Sequence, residues 1–123
     1  MAATIADAVF DAALQYIEDN GTKVHILKQV ATIGSTDAND YTVGNETSCT
    51  YTGPGDGATG RQTALDAITD GDVTATTDAT HFAITTTADV VLVCQELASS
   101  QGVTSGNKFT LTAVTINIPD PTA

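Results

Sequence analysis

The chain has 123 residues and a mass of 12.6 kDa, which predicts one domain spanning residues 1–123 with a single buried core. Fifteen Asp and Glu against four Lys and Arg give a formal net charge of −11. This charge argues against nucleic acid or an anionic membrane as a partner, because binding to either begins with neutralisation of phosphates. No apolar run approaches the roughly 20 residues that span a bilayer. Residues 1–7 lack the basic start and apolar centre of a signal peptide, so we expect no export signal.

Threonine and alanine dominate the composition, with 23 and 18 copies. Threonine is β-branched and half polar, so its excess favours strands with one face in water. Alanine buries little area, and the chain has no Trp and only three Phe and three Tyr. We therefore expect a thin core and a protein that depends on partners.

Helical periodicity extends from Ile5 to Asn20, with Thr4 as the expected N-cap and Asn20-Gly21 as the stop. Apolar side chains recur on one side of this helix, and acidic side chains lie largely opposite. We expect the helix to pack on its own sheet, with docking onto another subunit as the alternative. The face expected to pack between elements or subunits consists of Val9, Phe10, Ala13 and Ile17.

Beyond Gly21 the apolar spacing changes from 3.6 to 2, which indicates strands. Thr22 to Val30 is predicted as the first strand and Glu46 to Thr52 as the second, with a polar, turn-rich region from Asp37 to Asn45 between them. Four glycines and one proline in Gly53 to Gly60 predict a loop.

Two predicted strands, Arg61 to Thr69 and Val73 to Thr77, flank a hairpin signal at Asp70-Gly71. Thr80 to Thr86 alternates as a strand and leads into a short turn. After that turn, at Thr87-Ala88-Asp89, the run from Val90 to Leu97 is apolar enough to be buried on both faces.

Ser105-Gly106-Asn107 predicts a turn into the last strand, Lys108 to Ile118. The apolar positions slip from odd to even near Ala113, which indicates a bulge or a change of sheet. A short proline-containing tail, residues 119–123, ends the strand. A helix at about 5–20 and seven or so strands between about 22 and 118 predict a mainly β protein, a small antiparallel β-sandwich or jelly-roll-like domain.

Residues that could carry chemistry are few. His25 and His81 fall within predicted strands and have no Ser or Cys nucleophile motif, so we expect structural histidines rather than general bases. Gly55-Asp56-Gly57 and Asp70-Gly71-Asp72 lack the acidic residues and the closing Glu of a calcium loop. The sequence therefore predicts no catalytic residue, no metal site, no cofactor and no enzyme.

Three segments of the second half resemble small structural virion proteins of tailed bacteriophages and prophages. They are Ala79-Thr80-His81-Phe82-Ala83-Ile84, the run from Leu97 to Leu111, and Ile116-Asn117-Ile118-Pro119-Asp120. The N-terminal helix and Thr59-Gly60-Arg61 also fit the family. The chain departs from the family's pattern at Asp78 to Asp89, where Thr85 to Asp89 stands in place of a Gly-rich turn, and in its two cysteines.

The resemblance implies a non-enzymatic virion protein that assembles with itself and with a head or neck/collar scaffold. The expected partners are further copies of the chain and other virion proteins, and the expected location is the virion after synthesis in the host cytoplasm. The alternative is a tail-fibre-like module that binds a host-surface glycan through loops such as Gly53 to Gly60. The family's motifs do not distinguish among capsid decoration, neck or collar, and tail.

Cys49 and Cys94 both fall in predicted strands, and no basic neighbour in sequence would lower a thiol pKa. One interpretation is two buried free thiols. Because an extracellular particle meets oxidising conditions, the virion interpretation adds a disulfide, either within the chain or between subunits.

Overall fold

Two antiparallel sheets and two helices form the part of the chain that the structure describes, a computed structural model of residues 6–56 and 60–119. The helices are α1 (Asp7–Asn20) and α2 (Ala38–Tyr41). The strands, in chain order, are β1 (Lys23–Leu27), β2 (Thr42–Glu46), β3 (Tyr51–Asp56), β4 (Gly60–Leu65), β5 (Ile68–Val73), β6 (Thr77–Thr85), β7 (Val91–Val103), β8 (Lys108–Leu111) and β9 (Val114–Pro119). The predicted mainly β fold with an N-terminal helix is confirmed.

Helix α1 follows the predicted periodicity and ends at the predicted stop, where the Gly21 amide donates to the Ile17 carbonyl at 2.7 Å. The predicted cap, Thr4, lies outside the described residues, and the N-cap position is Ala6 without a side-chain hydrogen bond. Phe10 and Leu14 are buried where α1 packs on β3 and β4. Because the helix lacks a capping side chain, its stability depends on this packing.

An arginine joins α1 to the smaller sheet. The guanidinium of Arg61, in β4, donates to both carboxylate oxygens of Asp11 at 2.8 and 3.0 Å, and it also donates to Asp56 in β3. The hydrogen bonds that Arg61 donates to Asp11 and Asp56 raise the pKa of Arg61. The paired geometry fixes the position of α1 along β4, since two parallel N–H donors of a guanidinium bind a carboxylate in a planar arrangement.

The larger sheet has six strands in the order β7-β6-β1-β2-β5-β8 and curls into a half-barrel. Its central strand, β1, is buried from Val24 to Leu27. The pairing of β1 with β6 runs without interruption from Lys23↔Thr85 to Leu27↔His81. The two edges of this sheet are β7 and β8, which are neighbours in sequence.

The smaller sheet, β3-β4-β9, covers the open side of the larger one. Leu65 of β4 belongs to the same buried cluster as Phe82 of β6 and Phe109 of β8, so one core joins the two sheets. The predicted slip near Ala113 is a change of sheet, because β8 lies in the larger sheet and β9 pairs with β4.

The region between β1 and β3 differs from its prediction. Asp37 to Asn45 contains α2 and most of β2, whereas Cys49 lies in the connection before β3 and not in a strand. The predicted loop from Gly53 begins inside β3, whose register with β4 is irregular between Thr52 and Gly55. The strand continues through Gly53-Pro54 because it is an edge strand, where a missing amide donor is tolerated.

The expected strand from Arg61 to Thr69 is two strands in different sheets, β4 and β5, separated by a corner at Asp66. Thr50 and Thr52 each donate a hydroxyl hydrogen bond of 2.7 Å to the Asp66 carboxylate. These two bonds lower the pKa of Asp66 and hold the corner. The predicted hairpin at Asp70-Gly71 is wrong, because both residues lie within β5.

Candidate functional site

A cleft of about 440 Å³ lies between β7 and β8, the two edges of the curled sheet. Its floor is apolar and comes from Ile26, Val73, Ala79 and Phe109. Its rim carries hydroxyl and amide side chains, which are Ser99, Gln101, Thr104, Asn107, Thr110 and Thr112. The cleft is therefore a groove with an apolar floor and a polar rim, bordered by two strand edges that do not pair with each other.

The shape of β7 follows from an irregularity in its pairing with β6. Gln101 faces Ala79 and Glu96 faces His81, so more residues lie between these positions on β7 than on β6. The extra residues make β7 bulge next to the cleft. The expectation that Val90 to Leu97 is buried on both faces is wrong, because β7 is an edge strand and is mostly exposed from Gln95 to Gly102.

The predicted turn at Ser105-Gly106-Asn107 is confirmed, and it ties one end of the cleft to β5. The Gly106 amide donates to the Val73 carbonyl, and the Val73 amide donates to the Asn107 carbonyl, both at 3.0 Å. Gly106 has a φ of 91°, which a residue with a β-carbon rarely adopts. The turn therefore keeps β7 and β8 apart at a fixed spacing, although they follow each other in the chain.

Lys108 is the one charged residue that lines the cleft, and it pairs with the Asp72 carboxylate on β5. This pairing raises the pKa of Lys108. No Asp or Glu occurs from Leu97 to Pro119, although the whole chain has 15. This gap in the acidic residues is the sequence signal that could have located the cleft.

The predicted assembly face of α1 is divided between the two sides of the helix. Phe10 is 7% exposed and Ile17 packs against the core, so both serve packing within the chain. Val9 and Tyr16 are 57% and 58% exposed, and Ala13 is exposed between them. The outward apolar strip of α1 is therefore Val9, Ala13 and Tyr16.

His25 is the centre of a buried polar network. Its Nδ1 lies 3.0 Å from the Thr42 hydroxyl, and its Nε2 lies 3.3 Å from Oδ1 of Asp89. Lys23 donates to the same Asp89 oxygen at 3.0 Å. In the neutral ring with the proton on Nε2, Nε2–H donates to Asp89, and the single Thr42 hydroxyl proton has two acceptors within reach, Nδ1 and the Gly44 carbonyl at 3.0 Å. The network does not border the cleft, so His25 has contacts suited to a structural role.

Burial lowers the pKa of His25, although Asp89 acts in the opposite direction. Burial also acts to raise the pKa of Asp89, but its hydrogen bonds, first that from Lys23, hold the pKa below its usual value. Asp89 has a φ of 67°, so it makes these contacts from a left-handed backbone conformation.

We expect the free energy of unfolding to fall as the pH falls below about 6.5, the ordinary histidine pKa. Below that pH the unfolded chain takes up a proton that folded His25 resists. Urea titrations between pH 8 and pH 5 measure the slope, and His25→Gln should flatten it. The variant separates the contribution of His25 to the slope from that of Glu18. Burial raises the pKa of Glu18, so the contribution of Glu18 to the slope has the opposite sign. An unchanged slope in His25→Gln would contradict the assignment.

His81 is half-buried in β6. Among the described residues, its ring has one hydrogen-bond partner, the hydroxyl of its neighbour Thr80, which lies 2.8 Å from Nδ1. Asp70, Gly71 and Asp72 form part of β5 rather than a loop, and Asp56 pairs with Arg61. Gly57 lies outside the described residues. Among residues 6–56 and 60–119, no group of three or more His, Cys, Asp or Glu could hold a metal ion.

The two cysteines are free thiols and contact different apolar clusters. Cys49 donates to the Gly21 carbonyl at 3.0 Å, and the Tyr51 hydroxyl donates to the same oxygen at 2.7 Å. Burial raises the pKa of the Cys49 thiol. Cys94 lies in β7, as predicted for a strand. The structure has no bridge between the two thiols within the chain. A bridge between subunits stays a prediction, which non-reducing gels of assembled protein can test.

Neither helix of the described residues is long and apolar enough to cross a membrane. Comparison of the chain with protein-family models, with curated proteins and with solved structures found no match.

Proposed function

We propose that this chain is a non-enzymatic structural subunit of a tailed-phage virion, which assembles with copies of itself and with a head or neck/collar scaffold. The observation that carries the proposal is the open edge of the larger sheet. The free edge of β7 exposes unpaired backbone donors and acceptors beside the apolar floor of the cleft. Monomeric β proteins normally protect such an edge, because it pairs readily with another chain.

Two further features support assembly. The outward strip of α1 exposes two large apolar side chains, Val9 and Tyr16, on a chain with few such residues. The resemblance of Leu97 to Leu111 to virion proteins covers the second half of β7, all of β8 and the turn between them. This one of the resembling segments supplies most of the cleft lining.

We expect self-association to strengthen as salt is added. Each copy carries a formal charge of −11, and raising the salt from about 0.05 to 0.5 M shortens the distance over which like charges repel. Sedimentation velocity at increasing protein concentration measures the association at each salt. Association that weakens with salt would mean that complementary charge pairs hold the copies together. A compact, stable monomer at every concentration and salt would contradict self-assembly.

Antibody labelling tests the location of the protein. An antibody raised against the purified chain should label phage particles from the strain that carries its gene, at a regular position on the head, neck or tail. Extracts of the same strain without particles serve as the control. Particles that contain none of the chain would contradict the virion proposal, whatever the oligomeric state.

A glycan-binding module is the second candidate, because the rim of the cleft offers hydroxyl and amide side chains. Sugar sites commonly provide an exposed aromatic face, whereas the Phe109 ring in the floor is only 6% exposed. Binding to a glycan array that is lost in a variant of the cleft rim would favour this candidate over assembly.

A further inference from the structure

We infer that the cleft between β7 and β8 is the surface through which two copies of this chain associate, with the exposed edge of β7 in one copy pairing with the cleft of the other. This inference rests on the proposed function, because it locates the self-contact that assembly requires. The occupant is a second copy of the same chain, and its contacting element is an extended strand.

The first argument is the unsatisfied backbone of two strand edges. β7 pairs with β6 on one side and β8 pairs with β5 on one side, so each has a free edge toward the cleft. The β7 strand of a second copy also has one free edge, so it can form main-chain hydrogen bonds with one of these two edges while its alternate side chains cover the apolar floor. A compact ligand would use the floor but leave the edges unpaired.

The second argument is charge. Two copies that each carry −11 repel, and the cost of contact is smallest where the surfaces that meet are free of carboxylates. The cleft lining contains no Asp or Glu, and its one cation, Lys108, is paired with Asp72. The β7 segment from Leu97 to Val103 is likewise uncharged. The segment and the cleft lining therefore bring no carboxylate of their own to the contact, and the nearest ones are Asp78 beside Gly102 and Asp72 on Lys108.

The outward strip of α1 is less suited to contact between copies. The same helix carries Asp7, Asp11, Glu18 and Asp19 and has no Lys or Arg. Two such helices would bring carboxylates together, and the only basic group described beside them, Arg61, already bonds to Asp11 and Asp56. A contact through α1 fits a different, basic partner better than a second copy.

A matched pair of substitutions in β7 tests the inference. Ser99 and Ser100 are adjacent, exposed residues of the same strand, but only Ser99 lines the cleft. Ser99→Glu places a carboxylate in the contact and should weaken self-association by about tenfold or more, whereas Ser100→Glu should change it by less than about threefold. Sedimentation at fixed salt measures both, and circular dichroism confirms that each variant is folded.

A second pair of variants keeps the inference testable if Ser99→Glu fails to fold. Thr110→Glu places the charge on the β8 side of the cleft, and Thr115→Glu places it on an exposed position of β9 in the other sheet. The cleft variant should again weaken association while the β9 variant does not. Hydrogen exchange of the native chain should also show protection of β7 and β8 amides that increases with protein concentration.

Three results would overturn the inference. If the native chain associates and the cleft variants match their controls, the contact lies elsewhere and the proposed function stands. If Val9→Glu abolishes association while Ser99→Glu does not, the outward strip of α1 is the contact. If the native chain stays monomeric under all conditions, the inference fails together with self-assembly.

Discussion

Leu14→Ala should lower the free energy of unfolding by about 2–5 kcal/mol, a large share of the roughly 5–15 kcal/mol that stabilises a domain of this size. Leu14 is fully buried where α1 packs on β3 and β4. Its truncation leaves a cavity in a core that has few large side chains to fill it. Since α1 has no capping side chain, it has little stability of its own to offset the loss.

Val9→Ala is the matched control, because it shortens an apolar side chain of the same helix that is 57% exposed. It should change the free energy of unfolding by no more than about 0.5 kcal/mol. Urea titration followed by circular dichroism suits a chain without tryptophan. Equal losses in the two variants would mean that α1 is not packed through Leu14.

Gly71→Ala should cost about 1–3 kcal/mol of folding stability. A β-carbon at Gly71 would overlap the ring of Phe109, which packs across β5 from β8. The ring is buried and forms part of the floor of the cleft, so it must move or the strands must separate. The variant should therefore also weaken self-association, if the cleft is the contact between copies.

Gly55→Ala is the control for this substitution. Gly55 also lies in a strand, and a β-carbon there would meet no atom of the described residues within 4 Å. The change should leave stability within about 1 kcal/mol of the native value or raise it slightly, since alanine restricts the unfolded chain. Thermal unfolding of both variants measures the difference. A loss at Gly55 as large as that at Gly71 would contradict the role of Phe109.

Local patterns in the sequence predicted the elements whose environment is set by their neighbours in the chain. The 3.6-residue spacing of Phe10, Leu14 and Ile17 identifies α1, and the slip near Ala113 identifies the change from β8 to β9. Asp70-Gly71 predicts a hairpin because the two residues favour turns. The long-range contact of Gly71 with Phe109, which a local pattern does not contain, explains why glycine lies within β5.

The candidate site could not be predicted from the same patterns. β7 and β8 flank a short turn and have the appearance of a hairpin, but they lie at opposite edges of the sheet. Sheet order depends on which strands bury the most apolar surface together, and spacing alone does not determine it. The apolar run from Val90 to Leu97 therefore predicts a strand buried on both faces, although the strand that contains it lies at the edge of the sheet.

Three of the four cationic side chains are used inside the subunit: Lys23 pairs with Asp89, Arg61 with Asp11 and Asp56, and Lys108 with Asp72. These pairs leave the other carboxylates with little basic charge nearby. If copies assemble side by side as proposed, this imbalance adds up and draws a dense layer of counterions from the medium. Divalent cations, which screen more strongly per ion than monovalent ones, should then favour assembly at lower concentration than monovalent salt does.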